Sequence, residues 1–166
     1  MNGTKKNRHK KMKEKILYFA YGSNMDAEQM ARRCPEATFI AKAQLKGYRF
    51  LINKRGVATI VFDANSIVFG LVWHISERDE QSLDEFEGVH YGTYSKQHVS
   101  VELENRTTEQ VIVYIANNNN SGTPRENYLE RIIAAAENNT FPDDYLVTLK
   151  KIAKKRRGSD DQERNG

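Results

Sequence analysis

Apolar positions fall into short runs punctuated by turn residues, and this spacing sets the expected elements. Ile16 to Tyr21 is a compact apolar and aromatic run that predicts a buried strand. It stops at Gly22-Ser23-Asn24, and Asp26 to Arg33 then reads as a helix with Ser23 or Asn24 as its N-cap. Pro35 closes that helix. Strands are expected at Thr38–Leu45 and Tyr48–Asn53, separated by Lys46-Gly47, and at Val57–Phe62 after the turn Lys54-Arg55-Gly56. Asp63 to Ser66 has turn chemistry, and Ile67 to Ile75 follows as a buried strand in which Gly70 marks a bend or a close backbone approach.

Ser76-Glu77-Arg78-Asp79 has the form of a capping box and opens a helix to about Phe86 or Glu87. From Tyr94 to Glu104 the pattern alternates, with Val99, Val101 and Leu103 on one face. Val111 to Ala116 pairs with it as a hairpin across Asn105–Gln110. A polar loop, Asn117 to Gly122, leads to a helix starting at Pro124 or Arg125 and ending near Glu137. Pro142 starts a last helix to about Lys154. Strands outnumber helices and do not alternate with them strictly. The expected fold is α+β, a small mixed or antiparallel sheet flanked by helices and compatible with closure into a barrel.

Charge separates the ends from the body. The net charge of +4 arises largely from Thr4–Lys15 and Lys150–Arg157, leaving a slightly acidic centre. The expected organisation is a basic tail over 1–15, one domain over 16–154 and a charged tail over 155–166, with both tails disordered and solvated. Basic ends attract nucleic acid in some proteins, but here that partner is not expected. With 39% hydrophobic and 29% charged residues the body reads as soluble. No apolar run approaches the roughly 20 residues that cross a bilayer, and no signal-peptide core follows the basic start. Cys34 is the only cysteine, and His9, His74, His90 and His98 lack ligand spacing. A reduced, cytoplasmic protein with no metal and no cofactor is expected.

Two stretches carry candidate chemistry. A strand that turns through Gly22-Ser23-Asn24 into a helix leaves backbone N–H groups free beside the positive end of the helix dipole, an anion site that Tyr18 and Tyr21 could wall. It is neither a Walker loop nor a Gly-x-Ser-x-Gly nucleophile elbow. In Leu83-Asp84-Glu85-Phe86-Glu87-Gly88-Val89, helical spacing puts Glu87 on the core-facing side with Leu83, with Phe86 packed beside Leu83, and turns Glu85 to water. Gly88 is the expected C′ residue. The helix C-terminus and partial burial both disfavour the Glu87 carboxylate form and suit it to proton transfer near neutrality. The ordinary alternative is an exposed helix-end glutamate. No motif supports a Ser–His–Asp hydrolase, and Asp84 and Glu87 on one helix cannot flank a glycosidic bond.

Taken together, Tyr18-Phe19-Ala20-Tyr21-Gly22-Ser23-Asn24-Met25, Gly56-Val57-Ala58-Thr59-Ile60, Phe69-Gly70-Leu71-Val72-Trp73, Leu83 to Val89, Gly92-Thr93-Tyr94 and Pro124 to Leu129 resemble the γ-glutamylcyclotransferases in order and spacing. The likeness spans Leu17 to Leu149, and Tyr-Gly-Ser-Asn is its specific part. Relatives acting on glutathione or γ-glutamylamines differ after Tyr-Gly. The resemblance implies a small barrel-like sheet with a cavity at one end. It implies a reaction in which a γ-glutamyl-amino acid or γ-glutamyl-amine cyclises to 5-oxoproline and releases the amine, without metal or cofactor. It further implies Glu87 as acid/base, with Tyr18, Phe19, Ala20, Tyr21, Gly22, Ser23, Asn24, Tyr94 and Tyr128 holding the substrate. A homodimer is expected by family analogy only. Asn117–Asn120 and Ala134–Phe141 depart from the family pattern and leave the departing amine open. A non-catalytic binding module of the same fold is the alternative.

Overall fold

The computed structural model describes residues 16–163, with side chains described to Lys155. The strands are β1 (Ile16–Ala20), β2 (Thr38–Ile52), β3 (Ala58–Ile75), β4 (Tyr94–Leu103) and β5 (Thr108–Ala116). They close into a barrel in the order β1-β3-β2-β4-β5. Among the described residues the β1–β5 seam is parallel and the other pairings are antiparallel. Closure removes the free edges that short strands would otherwise expose. The helices are α1 (Ala27–Arg33), α2 (Glu77–Phe86), α3 (Tyr128–Asn138) and α4 (Asp143–Glu163). This is the α+β barrel-like architecture the sequence predicts.

The paired expectations for β2 and β3 merge into two long strands. Gly47, at φ +85, sits where the register shifts from Lys46 opposite Ile67 to Tyr48 opposite Phe62. Asp63–Ser66 bulge out at this point, and Asp63 accepts from Asn65 N at 3.1 Å and Ser66 Oγ at 2.9 Å. The turn chemistry is therefore present, but it makes a bulge rather than a strand end, because the pairing resumes on both sides. Gly70 is a close approach. A Cβ there would stand 2.6 Å from the Phe19 ring and would also meet the Ala20 carbonyl.

Phe19, Met30, Ile60, Val68, Leu83, Leu129 and Leu149 form the centre of one continuous core. α3 buries Leu129, Ile132, Ala135 and Ala136 at helical spacing. Phe69, Phe141 and Tyr145 join α4 to the barrel, with ring centroids 5.0–6.1 Å apart.

Three helix starts or ends differ from expectation. Asp26, rather than Ser23 or Asn24, caps α1, its side chain accepting from Gln29 N at 2.8 Å. Ser23–Met25 form a 3-10 turn instead. α3 begins at Tyr128, because Asn127 is held left-handed at φ 59 and interrupts any helix through Pro124 and Arg125. α4 continues past Lys154 to Glu163, so the stretch 155–163 is helical. It is rich in Lys, Arg, Asp and Glu, and no proline follows Pro142 to stop the helix. The basic tail over 1–15 lies outside the described residues. Among the described residues no helix is long and apolar enough to cross a membrane.

Candidate active site

One end of the barrel holds a cavity of about 470 Å³. Its floor comes from the end of β1. Tyr18 and Tyr21 line it together with Gly22, Ser23 and Asn24. The Tyr21 hydroxyl donates to the Tyr114 carbonyl at 2.5 Å, and the Tyr18 and Tyr114 rings meet edge to face at 5.8 Å. Asn24 is buried, with both ends of its side chain bonded. Its amide donates to Tyr18 Oη at 3.0 Å, and its carbonyl accepts from Gln29 Nε2 at 3.1 Å and Arg33 at 3.0 Å. Gln29 also donates to Ser23 Oγ at 2.7 Å. The α1 side chains thus brace the turn from outside and leave the amides of Gly22, Ser23 and Asn24 without an acceptor among the described residues. Such unpaired donors at a cavity wall suit a carboxylate or a developing oxyanion.

Tyr94 and Tyr128 enter from β4 and α3 and grip one peptide of β3. The Tyr94 hydroxyl donates to the Ala58 carbonyl at 2.8 Å, whereas the Tyr128 oxygen accepts from the Ala58 amide at 3.0 Å. This leaves Tyr94 with lone pairs, and Tyr128 with its own proton, for the cavity. Burial pushes the hydroxyls of Tyr18, Tyr21, Tyr94 and Tyr128 upward, so all are protonated donors at neutral pH.

Glu87 reaches the same cavity from the C-cap of α2. The capping box opens that helix, with Asp79 N donating to Ser76 Oγ at 3.0 Å and Ser76 N to Asp79 Oδ2 at 3.2 Å. Lys96 of β4 clamps α2 against the barrel through Glu80 at 2.7 Å and Asp84 at 3.0 Å. Asp84 also accepts from the Tyr114 hydroxyl at 2.7 Å. Gly88, at φ +61, turns the chain out of the helix as expected of a C′ glycine. Leu83 is fully buried, Glu85 exposed and Glu87 half-buried, the helical phase the sequence predicts. Phe86 differs: it is 61% exposed and lies under the Arg33 guanidinium, 4.6 Å from the ring centroid, instead of packing beside Leu83. The Glu87 carboxylate has no hydrogen-bond or ion-pair partner among the described residues. Desolvation raises its pKa from the ordinary 4.5 to about 7, against the opposing charge of Arg33.

Two expected site residues do not reach the cavity. Phe19 and Ala20 are buried in the core, where Gly70 packs on both, because the strand carrying the motif also has to bury its middle against β3. Conversely, Arg33, Arg55, Tyr114, Arg125, Glu126 and Arg131 line the cavity without having been singled out. Arg33 carried a readable signal, since it lies four residues after Gln29 on the same face of α1. Tyr114 was legible as the one polar-tipped residue inside the apolar run Val111–Ala116. Among the described residues no His, Cys, Asp and Glu cluster could hold a metal ion.

Comparison with known proteins gives the same picture. Residues 67–149 match the AIG2-like family. The chain is 32% identical over 151 residues to the γ-glutamylcyclotransferase of Mus musculus, covering 84% of this chain and 79% of that protein. It is also 32% identical over 149 residues to the γ-glutamylcyclotransferase of Homo sapiens, with the same coverage. A solved structure of a γ-glutamyl cyclotransferase superposes with a TM-score of 0.77 at 32% identity, over 82% of this chain and 87% of that one. With the barrel, the Tyr-Gly-Ser-Asn turn and an inward glutamate already in place, this similarity along most of the chain makes it a member of the γ-glutamylcyclotransferase family and an enzyme of that type.

Proposed function

We propose that the protein converts a γ-glutamyl-amino acid or γ-glutamyl-amine to 5-oxoproline and the free amine, with Glu87 as the proton carrier. The observation that carries this reading is the placement of Glu87: its carboxylate lines the cavity with Tyr94, Tyr128 and the Gly22–Asn24 turn, with no hydrogen-bond or ion-pair partner among the described residues, and desolvation there raises its pKa to about 7. A group so placed takes and returns a proton at neutral pH with little cost either way.

The substrate brings its own nucleophile. Ionised Glu87 removes a proton from the α-ammonium group, and the freed amine attacks the γ-carbonyl carbon of the same molecule to close a five-membered ring. The carbonyl oxygen becomes an oxyanion, for which the amides of Gly22, Ser23 and Asn24 are available donors. As the oxyanion collapses, Glu87 returns its proton to the departing nitrogen and the amide bond breaks; the second proton of the ring nitrogen passes to the released amine, which leaves as an ammonium, and the ring remains as the neutral lactam. Holding the γ-glutamyl chain in the folded pose supplies much of the acceleration, up to about 7–11 kcal/mol in well-aligned intramolecular reactions. Tyr94 and Tyr128, fixed on the Ala58 peptide, present an acceptor and a donor to that chain without rearranging.

The test is direct detection of 5-oxoproline from γ-glutamyl-alanine, glutathione and a γ-glutamylamine, run beside Glu87→Gln. Product that disappears in the variant supports the reading. No product from any member, with no binding of 5-oxoproline to the folded protein, would move the assignment to a binding module of the same fold.

A further inference from the structure

The outer part of the cavity is cationic. Arg55 lies on the β2–β3 loop, Arg125 on the segment before α3 and Arg131 in the first turns of α3. All line the cavity, where, among the described residues, Glu126 and Glu87 are the carboxylates. Ion pairs elsewhere among the described residues engage Arg32, Lys42, Lys46, Arg49, Lys96 and Lys150, but none engages these arginines. The arrangement is also built. Arg125 Nε donates to the Arg55 carbonyl at 2.9 Å, and Arg125 N donates to the Gly56 carbonyl at 3.0 Å. Between them Gly56 adopts φ +79, and a Cβ there would stand 2.7 Å from Arg125 Cγ. The loops that carry Arg55 and Arg125 are therefore locked to each other.

We propose that Arg55 and Arg125, supported by Arg131, are the residues that read the departing amino acid, and that they favour an acidic amino acid over a neutral one. The inference rests on the cyclotransferase reading and deepens it. Guanidiniums with no ion-pair partner among the described residues lose little on meeting a carboxylate, and the terminal nitrogens of each offer it a fork of donors. They also orient the substrate. Its α-ammonium group is repelled from the rim and drawn to Glu87, so the leaving end faces the arginines. A cationic amine such as a polyamine is disfavoured by the same charges.

The experiment compares 5-oxoproline release from γ-glutamyl-alaninamide, γ-glutamyl-alanine and γ-glutamyl-glutamate by the full chain and by Arg55→Ala and Arg55→Glu. Alaninamide is the less basic and therefore the better leaving amine, so slower turnover of its conjugate cannot come from leaving-group chemistry. The expected kcat/KM rises about tenfold from the amide to γ-glutamyl-alanine, and again by a smaller factor to γ-glutamyl-glutamate, at low salt. Most of the advantage is lost at about 1 M salt, where the screening length is about 3 Å. Arg55→Ala lowers the ratio and Arg55→Glu removes it. Arg55 is exposed and its side chain makes no hydrogen bond among the described residues, so neither change threatens the fold. A second pair of variants, Arg125→Lys and Arg125→Gln, separates charge from fork geometry. Equal kcat/KM for the amide and γ-glutamyl-alanine, or a ratio unchanged in Arg55→Glu, overturns the inference and leaves the cyclotransferase reading standing. No 5-oxoproline from these three compounds, from glutathione or from a γ-glutamylamine, with no binding of 5-oxoproline to the folded protein, refutes that reading instead. Calorimetric binding of the same three compounds then still decides the rim, and equal affinities overturn it.

Discussion

Glu87→Gln separates catalysis from stability and gives each a magnitude. The carboxyl is desolvated, and its pKa is raised from 4.5 to about 7 in the folded chain. Between these values the unfolded chain has lost the proton and the folded chain keeps it, so stability falls as pH rises through this window and is level above it. The gap between the two values corresponds to about 3 kcal/mol. Glutamine keeps the shape and never ionises, so the variant gains most of that stability at pH 8 and little at pH 4. For a chain of this size the gain at pH 8 raises Tm by roughly 6–12 °C. Turnover moves the other way, falling by about 10²–10⁴ with loss of the proton carrier. The assays are thermal melts at pH 4 and pH 8, with 5-oxoproline release measured on the same preparations. Glu85→Gln, on the exposed side of α2, is the control and changes neither quantity. Equal melting of variant and parent at both pH values would refute the desolvation argument. Near-parental turnover in Glu87→Gln would refute the assignment of the proton carrier.

The cation beside Glu87 holds its pKa below what burial alone would give, so Arg33→Gln is expected to move the acidic limb of the kcat/KM–pH profile to higher pH; a limb that stays put or moves down contradicts the placement of that charge. Tyr128→Phe removes the acceptor of the Ala58 amide, and orphaning this buried donor costs about 1–3 kcal/mol in urea unfolding; an unchanged midpoint would mean that the amide is satisfied without the hydroxyl. Gly70→Ala drives a methyl into the Phe19 ring at 2.6 Å, and thermal melting should show a loss of about 1–3 kcal/mol, larger if β1 has to move. Arg55→Glu, as above, removes the preference for a carboxylate-bearing leaving amine without abolishing the fold.

Local chemistry in the chain determined a good deal by itself. The alternation of β4, the capping box of α2, the phase that turns Glu87 inward and Glu85 outward, and Gly88 as C′ residue all follow from contacts within a few residues, and the structure has each of them. Tyr-Gly-Ser-Asn was legible for the same reason: a strand that breaks into a turn and then a helix exposes its amides whatever surrounds it. Tertiary structure decided what depends on residues far apart in sequence. Asp63–Ser66 reads as a turn, and only the pairing of β2 with β3 on both sides makes it a bulge in a continuous strand. Phe19 and Ala20 sit inside the motif yet belong to the core, because Gly70, about fifty residues on, packs against both. Tyr94 and Tyr128 become one device only because both bond the Ala58 peptide. The cationic rim is the clearest case. Arg55 and Arg125 are ordinary loop residues in sequence, and it is barrel closure and the tie between their loops that set both charges on one cavity. Hydrophobic period and capping act over a turn or two of chain, whereas a site is made by surfaces that meet only when the chain has closed on itself.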